Sequence, residues 1–246
     1  LHKVKESATL ILTGASGGIG RAVARELARL GVNLVVNARA AEPLDRVARD
    51  CETLGVRVCQ VRGNAAETSV AGKLVQEALN IGNFYGFIHA AGVLHPGPLL
   101  WELSPEQFRE VMDSHVTAGY QLIRAAVPEL LRQGEGLAIF FGSYAAESNL
   151  PGIGAYNIAK AAEEHLARQL AAEAPQITSF VFRPGATETR MQRQAREAQG
   201  RGAEVLHRVF RGYQRRRELE SPEQVAQRLV RLLADNPRRH HGTIVT

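Results

Sequence analysis

The residues with the clearest chemical potential are Tyr156 and Lys160, four apart in Tyr156-Asn157-Ile158-Ala159-Lys160. On a helix this spacing places a phenol and an ammonium on one face. A free tyrosine has a pKa near ~10 and is a poor proton partner at neutral pH, but a cation beside a phenol favours the phenolate. Such a pair could serve as general acid or base at a carbonyl or alcohol oxygen. Lys160 also stands out by scarcity. Of the 30 basic residues only Lys3, Lys5, Lys73 and Lys160 are lysines, so Lys160 is the only one beyond residue 73. A compact ammonium can serve a phenol and sugar hydroxyls together, a task to which a planar guanidinium is poorly suited.

A second set of residues could hold a phosphate. An apolar run, Thr9–Thr13, leads directly into Thr13-Gly14-Ala15-Ser16-Gly17-Gly18-Ile19-Gly20 and then into a helical pattern. Glycines after a strand let the backbone approach a pyrophosphate, and the helix start supplies unpaired N–H groups and a positive dipole end. No Gly-Lys-Ser/Thr follows, so this is not a nucleoside-triphosphate loop. The next apolar run ends Val36-Asn37-Ala38-Arg39. An acid here would bind the ribose 2′-hydroxyl of NAD, whereas an Arg accommodates the 2′-phosphate of NADP. Arg39 therefore favours NADP, although it could also be one more surface Arg.

The elements that must position these groups alternate along the chain. Strands are expected at Thr9–Thr13, Val32–Asn37, Val56–Val61, Phe84–His89, Leu137–Phe141, Ile177–Phe182 and Thr243–Val245. Most are continuous apolar runs, as in a parallel sheet covered on both faces. Between them lie amphipathic stretches such as Val23, Leu27 and Leu30, interleaved with Arg21, Arg25 and Glu26. Ser104-Pro105-Glu106-Gln107 and Ser221-Pro222-Glu223-Gln224 each carry the Ser, Pro and Gln of a capping box at a helix start. The expectation is an α/β fold: one Rossmann-type doubly wound parallel sheet of about seven strands, helices on both faces, in a single domain over 1–246.

Composition narrows the classes. At 45% hydrophobic and 22% charged residues, disorder and low complexity are excluded. Cys51 and Cys59 are too few for a disulfide framework or a cysteine zinc site, so a reduced, cytoplasmic setting and no metal are expected. No apolar run approaches the ~18 residues of a membrane span. Leu1–Ser7 lacks a signal-peptide core, and its start without Met reads as trimmed.

With these motifs in place, the chain resembles the classical short-chain dehydrogenase/reductase family almost end to end. Thr13–Gly20 is similar to its Thr-Gly-x-x-x-Gly-x-Gly turn, and Tyr156 and Lys160 to its Tyr-x-x-x-Lys. Ser143 lies thirteen residues before the Tyr, and Pro184-Gly185 leads to Thr189 as in the segment lining the nicotinamide. More locally, 184–192 resembles the benzil and sepiapterin reductase branch. The resemblance implies an NADP-dependent reduction of a ketone to an alcohol. Ser143 would orient the carbonyl, Tyr156 would donate a proton to its oxygen, and Lys160 would bind the nicotinamide ribose. It also implies cofactor contacts from Gly14, Ser16, Gly18, Ile19, Gly20, Arg39, Asn64, Ala91, Gly92, Tyr156, Lys160, Pro184, Gly185, Thr187 and Thr189.

Three positions depart from the family. His115 stands where an Asn usually anchors a water relay, and is either a proton shuttle or a tolerated substitution. His89-Ala90-Ala91-Gly92 replaces Asn-Asn-Ala-Gly, with His89 read as structural. Asn64 replaces an Asp that contacts adenine, and its amide still donates and accepts.

The segment of about 186–220 interrupts the alternation and corresponds to the family's variable substrate lid. Residues 190–217 hold nine Arg against Glu197 and Glu204, a local charge of +7 in a chain of +5. Val205, Leu206, Val209, Phe210 and Tyr213 form an apolar stripe at helical spacing. This could be a solvated face over a docking stripe, or a site for an anionic or carrier-bound substrate. Two alternatives to a small-ketone reductase therefore stay open: a 3-oxoacyl-(acyl carrier protein) reductase, and a cofactor-binding regulatory protein with weak or no turnover. Interleaved aromatic and basic residues are absent, so neither nucleic acid nor membrane is expected as a partner. The resemblance implies a homodimer or homotetramer through helices at 105–132 and 156–173.

Overall fold

A computed structural model describes residues 7–246; the expectation for the chain start falls mostly on residues outside these. The seven expected strands form one parallel sheet: β1 Thr9–Thr13, β2 Asn33–Ala38, β3 Val58–Arg62, β4 Phe84–His89, β5 Gly136–Phe141, β6 Ile177–Phe182 and β7 Ile244–Val245. Their order is β3-β2-β1-β4-β5-β6-β7. The winding therefore reverses between β1 and β4, which opens a crevice beyond their carboxyl ends. β1, β2, β4, β5 and β6 are buried along their whole length, which explains their unbroken apolar sequence.

The helices are α1 Gly18–Arg29, α2 Ala41–Glu52, α3 Thr68–Ile81, α4 Pro105–Met112, α5 Ala118–Gln133, α6 Gly154–Glu173, α7 Arg190–Arg196, α8 Ala203–Arg215 and α9 Pro222–Asp235. Alternate residues of one strand serve opposite faces. Leu10 and Leu12 pack with α1, α2 and α9, while Ile11 packs with α3, α5 and α6. Both expected capping boxes form, at Ser104 on α4 and Ser221 on α9.

Several boundaries differ from the sequence reading. Val32 is not in β2, because its N–H donates to the Leu27 carbonyl at the end of α1. β3 begins at Val58, where pairing with Leu34 starts, and as an edge strand it is only partly covered. Leu30, expected on the apolar face of the first helix, is its exposed C-cap. Between β6 and α9 the chain forms α7 and α8. This excursion closes at its base, where Glu220 N–H donates to the Ala186 carbonyl and Glu188 N–H to the Glu220 carbonyl.

Candidate active site

The crevice at the β1/β4 reversal is a continuous cleft of about 1150 Å³. At one end stands the glycine turn. Gly14 has φ +70°, and a Cβ there would lie 2.7 Å from the Ala90 carbonyl and the Ala91 backbone. A Cβ on Gly20 would lie 2.1 Å from the Gly14 carbonyl. These two positions admit only glycine, and they let the turn fold tightly against the strand after β4. α1 then starts without a side-chain cap and without an acid in its first turn. Its free N–H groups border the cleft beside Gly17, where a Cβ would meet nothing within 4 Å. An uncapped helix start with room in front of it fits an anionic pyrophosphate.

Ser16, Gly18, Ile19, Arg39, Asn64, Ala91 and Gly92 line the same half of the cleft. Arg39 donates from Nη1 to Glu110 Oε1 at 2.6 Å, and Glu110 Oε2 lies 2.7 Å from His95 Nε2. Arg39, foremost, and His95 hold the Glu110 carboxyl below its usual range. Asn64 spends its side-chain oxygen on the Ala66 N–H, leaving its NH2 as a donor. On the opposite wall are Pro184, Gly185, Thr187 and Thr189. Thr189 also caps α7 by accepting from Gln192 N–H at 3.2 Å.

Ser143, Tyr156, Lys160 and His115 meet at the centre. Ser143 lies two residues beyond β5 and caps a 3-10 turn at 144–147, its Oγ accepting from Ala145 N–H at 3.1 Å, so the hydroxyl proton stays free to donate. Tyr156 sits in the first turn of α6, and Lys160 lies one turn below with Nζ 5.6 Å from the ring centroid. Nζ donates to the Phe141 carbonyl at 2.6 Å and to Glu163 Oε2 at 2.7 Å, leaving one of its three donors unused. Burial alone would depress the Lys160 pKa, but the attraction of Glu163, with Tyr156 and Glu164, outweighs it and the pKa is raised. His115 lies in a π-helical turn, Asp113–Thr117, between α4 and α5, and its ring stacks edge-on to Tyr156 at 5.2 Å. A Cβ on Gly92 would lie 2.3 Å from His115 Cε1, so the glycine admits the imidazole. Burial, reinforced by Lys160, pushes the His115 pKa down.

Sequence reasoning missed three residues behind this centre. Glu163 is fully buried beneath Lys160. Glu164 accepts from Ser143 N–H at 3.0 Å and from Arg183 at 2.8 and 2.7 Å, which fixes the backbone that carries Ser143. Arg183 also reaches Glu147, and its guanidinium lies over the Tyr144 ring at 5.2 Å. One signal was available: Glu163 and Glu164 stand three and four residues beyond Lys160, the spacings at which an acid can pair with an ammonium on one helix face.

The remaining wall is apolar. Leu94, Leu150, Ile153, Met191, Val209 and Phe210 face the cleft, and Leu206 of α8 packs with Leu94 and Ile153. The apolar stripe of the lid therefore docks over the site. The lid charge is largely spent locally. Arg193 and Arg196 pair with Glu188, Arg201 with Glu102, Arg208 with Glu204 and Arg216 with Glu218. Arg211 donates to the Arg196 carbonyl. Of the nine, only Arg190 lines the cleft. Counting Glu102, Glu188 and Glu218, which lie outside the sequence window, lowers its +7 to +4. Among the described residues no cluster suited to a metal ion occurs, and no helix is long and apolar enough to cross a membrane.

Fold and cleft define a dinucleotide-binding α/β oxidoreductase. The short chain dehydrogenase family model matches residues 8–200, and the chain belongs to that family, whose members use a nicotinamide cofactor on CH–OH groups of small-molecule substrates. It is 30% identical over 184 residues to dehydrogenase/reductase SDR family member 4 of Mus musculus, covering 73% of this chain and 66% of that protein. It is 28% identical over 172 residues to the 3-oxoacyl-[acyl-carrier-protein] reductase FabG of Staphylococcus aureus, covering 69% of this chain and 70% of that protein. Among solved structures it is similar to the L-sorbose reductase of Gluconobacter frateurii complexed with NADPH and L-sorbose, with a TM-score of 0.85 and 25% identity over 100% of this chain and 96% of that one.

Proposed function

We propose that the protein is an NADP-dependent reductase, one domain with a lid at about 186–220, that converts a small apolar ketone to an alcohol. The observation that carries this reading is the convergence of Ser143, Tyr156 and Lys160 on a mostly apolar wall of the cleft that also holds the glycine turn. The glycine turn, Asn64, Ala91 and Gly92 would hold the adenosine and pyrophosphate, Arg39 the 2′-phosphate, and Pro184, Gly185, Thr187 and Thr189 the nicotinamide. When bound, the reduced nicotinamide supplies the hydride. The free hydroxyl proton of Ser143 orients the substrate carbonyl. Tyr156 gives its proton to the oxygen as negative charge develops there. The unused Lys160 donor holds the ribose while its charge stabilises the phenolate left behind. His115 fixes the surroundings of Tyr156 and Lys160 from below.

The apolar wall supports a neutral substrate over an anionic one, and Arg190 is the one lid arginine that reaches the cleft. A carrier-linked 3-oxoacyl substrate is the second reading, favoured by the likeness to the Staphylococcus aureus reductase. We also read the protein as cytoplasmic, in keeping with two free cysteines. A homodimer or homotetramer through α4, α5 and α6 is part of the same reading, supported by the exposed Phe108, Tyr120, Leu131 and Ile158 on those helices.

NADPH and NADH oxidation against diketones, ketoesters and acetoacetyl thioesters tests these readings. Turnover of diketones or ketoesters with NADPH is expected. Activity confined to thioesters and fading with salt would move the assignment to the carrier-linked substrate. Cofactor binding without turnover would make the protein a binding module.

A further inference from the structure

Glu163 is the least explained group in the molecule. The other inward positions of α6 are mostly small and apolar: Ala155, Ala159, Ala167, Leu170 and Ala171. A carboxylate among them is costly unless it is paired and hydrogen-bonded. Its Oε2 is well served, accepting from Lys160 Nζ at 2.7 Å and facing His115 Nδ1 at 3.2 Å. Its Oε1 has no hydrogen-bond partner and lies 3.8 Å from His89 Nε2.

The surrounding contacts fix the charges. His89 Nε2 lies 3.0 Å from the His115 carbonyl, so it carries the proton, and Nδ1 accepts from the Thr13 hydroxyl at 2.8 Å. Burial holds this ring neutral, with its pKa lowered to about 4. His115 faces a carboxylate at Nδ1. Its Nε2 lies against the Val93 backbone, 3.0 Å from the carbonyl and 3.3 Å from the N–H, so the ring is held between Glu163 and the backbone after β4. Arg183, on the other side, is tied to Glu164. The groups facing Lys160 are thus Tyr156 and Glu164 of its own helix, His115 of the π-helical turn, His89 of β4 and Glu163. Among the described residues, Glu163 is the only carboxylate paired with Nζ, while Glu164 is paired with Arg183.

We propose that Glu163 is a positioning residue for the reaction: it is the fixed counter-ion that sets where the Lys160 ammonium sits beneath Tyr156 and holds its charge. Two of the three Nζ donors are locked by Glu163 and Phe141, so the third points in one direction only. This inference rests on the reductase reading for its consequence, but its test does not require turnover.

The chain contains four lysines, so protein labelled with 13C at lysine Cε gives four signals, and that of Lys160 is assigned by its loss in Lys160→Met. In cofactor-free wild type the Lys160 signal should keep its protonated shift beyond the ordinary lysine value of about 10.4. In Glu163→Gln burial acts unopposed, and the signal should titrate at least one unit lower. The alkaline limb of kcat should move down with it, a loss of about tenfold per unit at pH values above the limb. Glu163→Asp, whose carboxylate is drawn back from Nζ, should shift both in the same direction by less, and it decides the matter if the Gln variant does not fold. Identical Lys160 titration in wild type and the folded variants overturns the proposal. A shifted titration in a protein with no turnover would instead leave Glu163 in place and count against the reductase reading.

Discussion

At the scale of single residues, Ser143, Tyr156 and Lys160 line the centre of the cleft, and Glu163, Glu164 and Arg183 pack behind them. Ser143, Tyr156 and Lys160 are legible because their spacing follows from one strand end and one helical turn. Glu163, Glu164 and Arg183 are not, because an acid on a helix reads as a solvated face until the fold shows what lies beneath it. Arg39 is an intermediate case. Its type suggests a phosphate partner, but the structure shows it already engaged by Glu110, which sits on a helix 71 residues away in the chain. A 2′-phosphate at Arg39 would compete with that carboxylate for the guanidinium. Arg39→Ala should therefore raise KM for NADPH about tenfold while changing that for NADH little, the loss expected of one charged hydrogen bond. Glu110→Gln should lower KM for NADPH. Equal effects on both cofactors in initial-rate measurements would remove Arg39 from phosphate recognition.

At the scale of elements, five of the seven strands could be read as buried apolar runs, and two helix starts from their capping boxes. The ends moved where a backbone group found a nearer partner, as Val32 does with Leu27. The tie between the residue after β6 and α6 was invisible in the sequence, because it is a buried pair nineteen residues apart, Arg183 and Glu164. Both side chains are at most 5% exposed. Removing one partner of a buried pair strands the other, at a cost of about 3–5 kcal/mol. Arg183→Met should lower the unfolding free energy by that amount in urea titrations. It should also lower kcat, because Glu164 holds the Ser143 backbone. A change under 1 kcal/mol would mean that the pair behaves as a surface contact.

At the scale of the whole molecule, the basic excess of +5 is only partly compensated at the lid, where five of the nine arginines pair with acids at 102, 188, 204 and 218. Stability should depend on acid more than on salt. His89 has a folded pKa of about 4 against an ordinary 6.5, so between these values the unfolded chain binds a proton that the folded protein does not. The stability it contributes is complete above pH 6.5 and is lost as pH falls toward 4, roughly 3 kcal/mol in all. Glu163, its carboxyl held low by Lys160 and His115 against the upward pull of burial, adds a further loss at lower pH. Urea midpoints should fall steadily from pH 7 to pH 4.5, and a flat profile would contradict a neutral buried His89. The proposed reduction depends on Tyr156 as the proton donor. The most direct test is the steady-state rate of NADPH oxidation with a saturating ketone in wild type and Tyr156→Phe, with cofactor affinity measured in both. The account predicts a loss of kcat of about 10²-fold or more with cofactor binding retained. Equal turnover in the two proteins would contradict it.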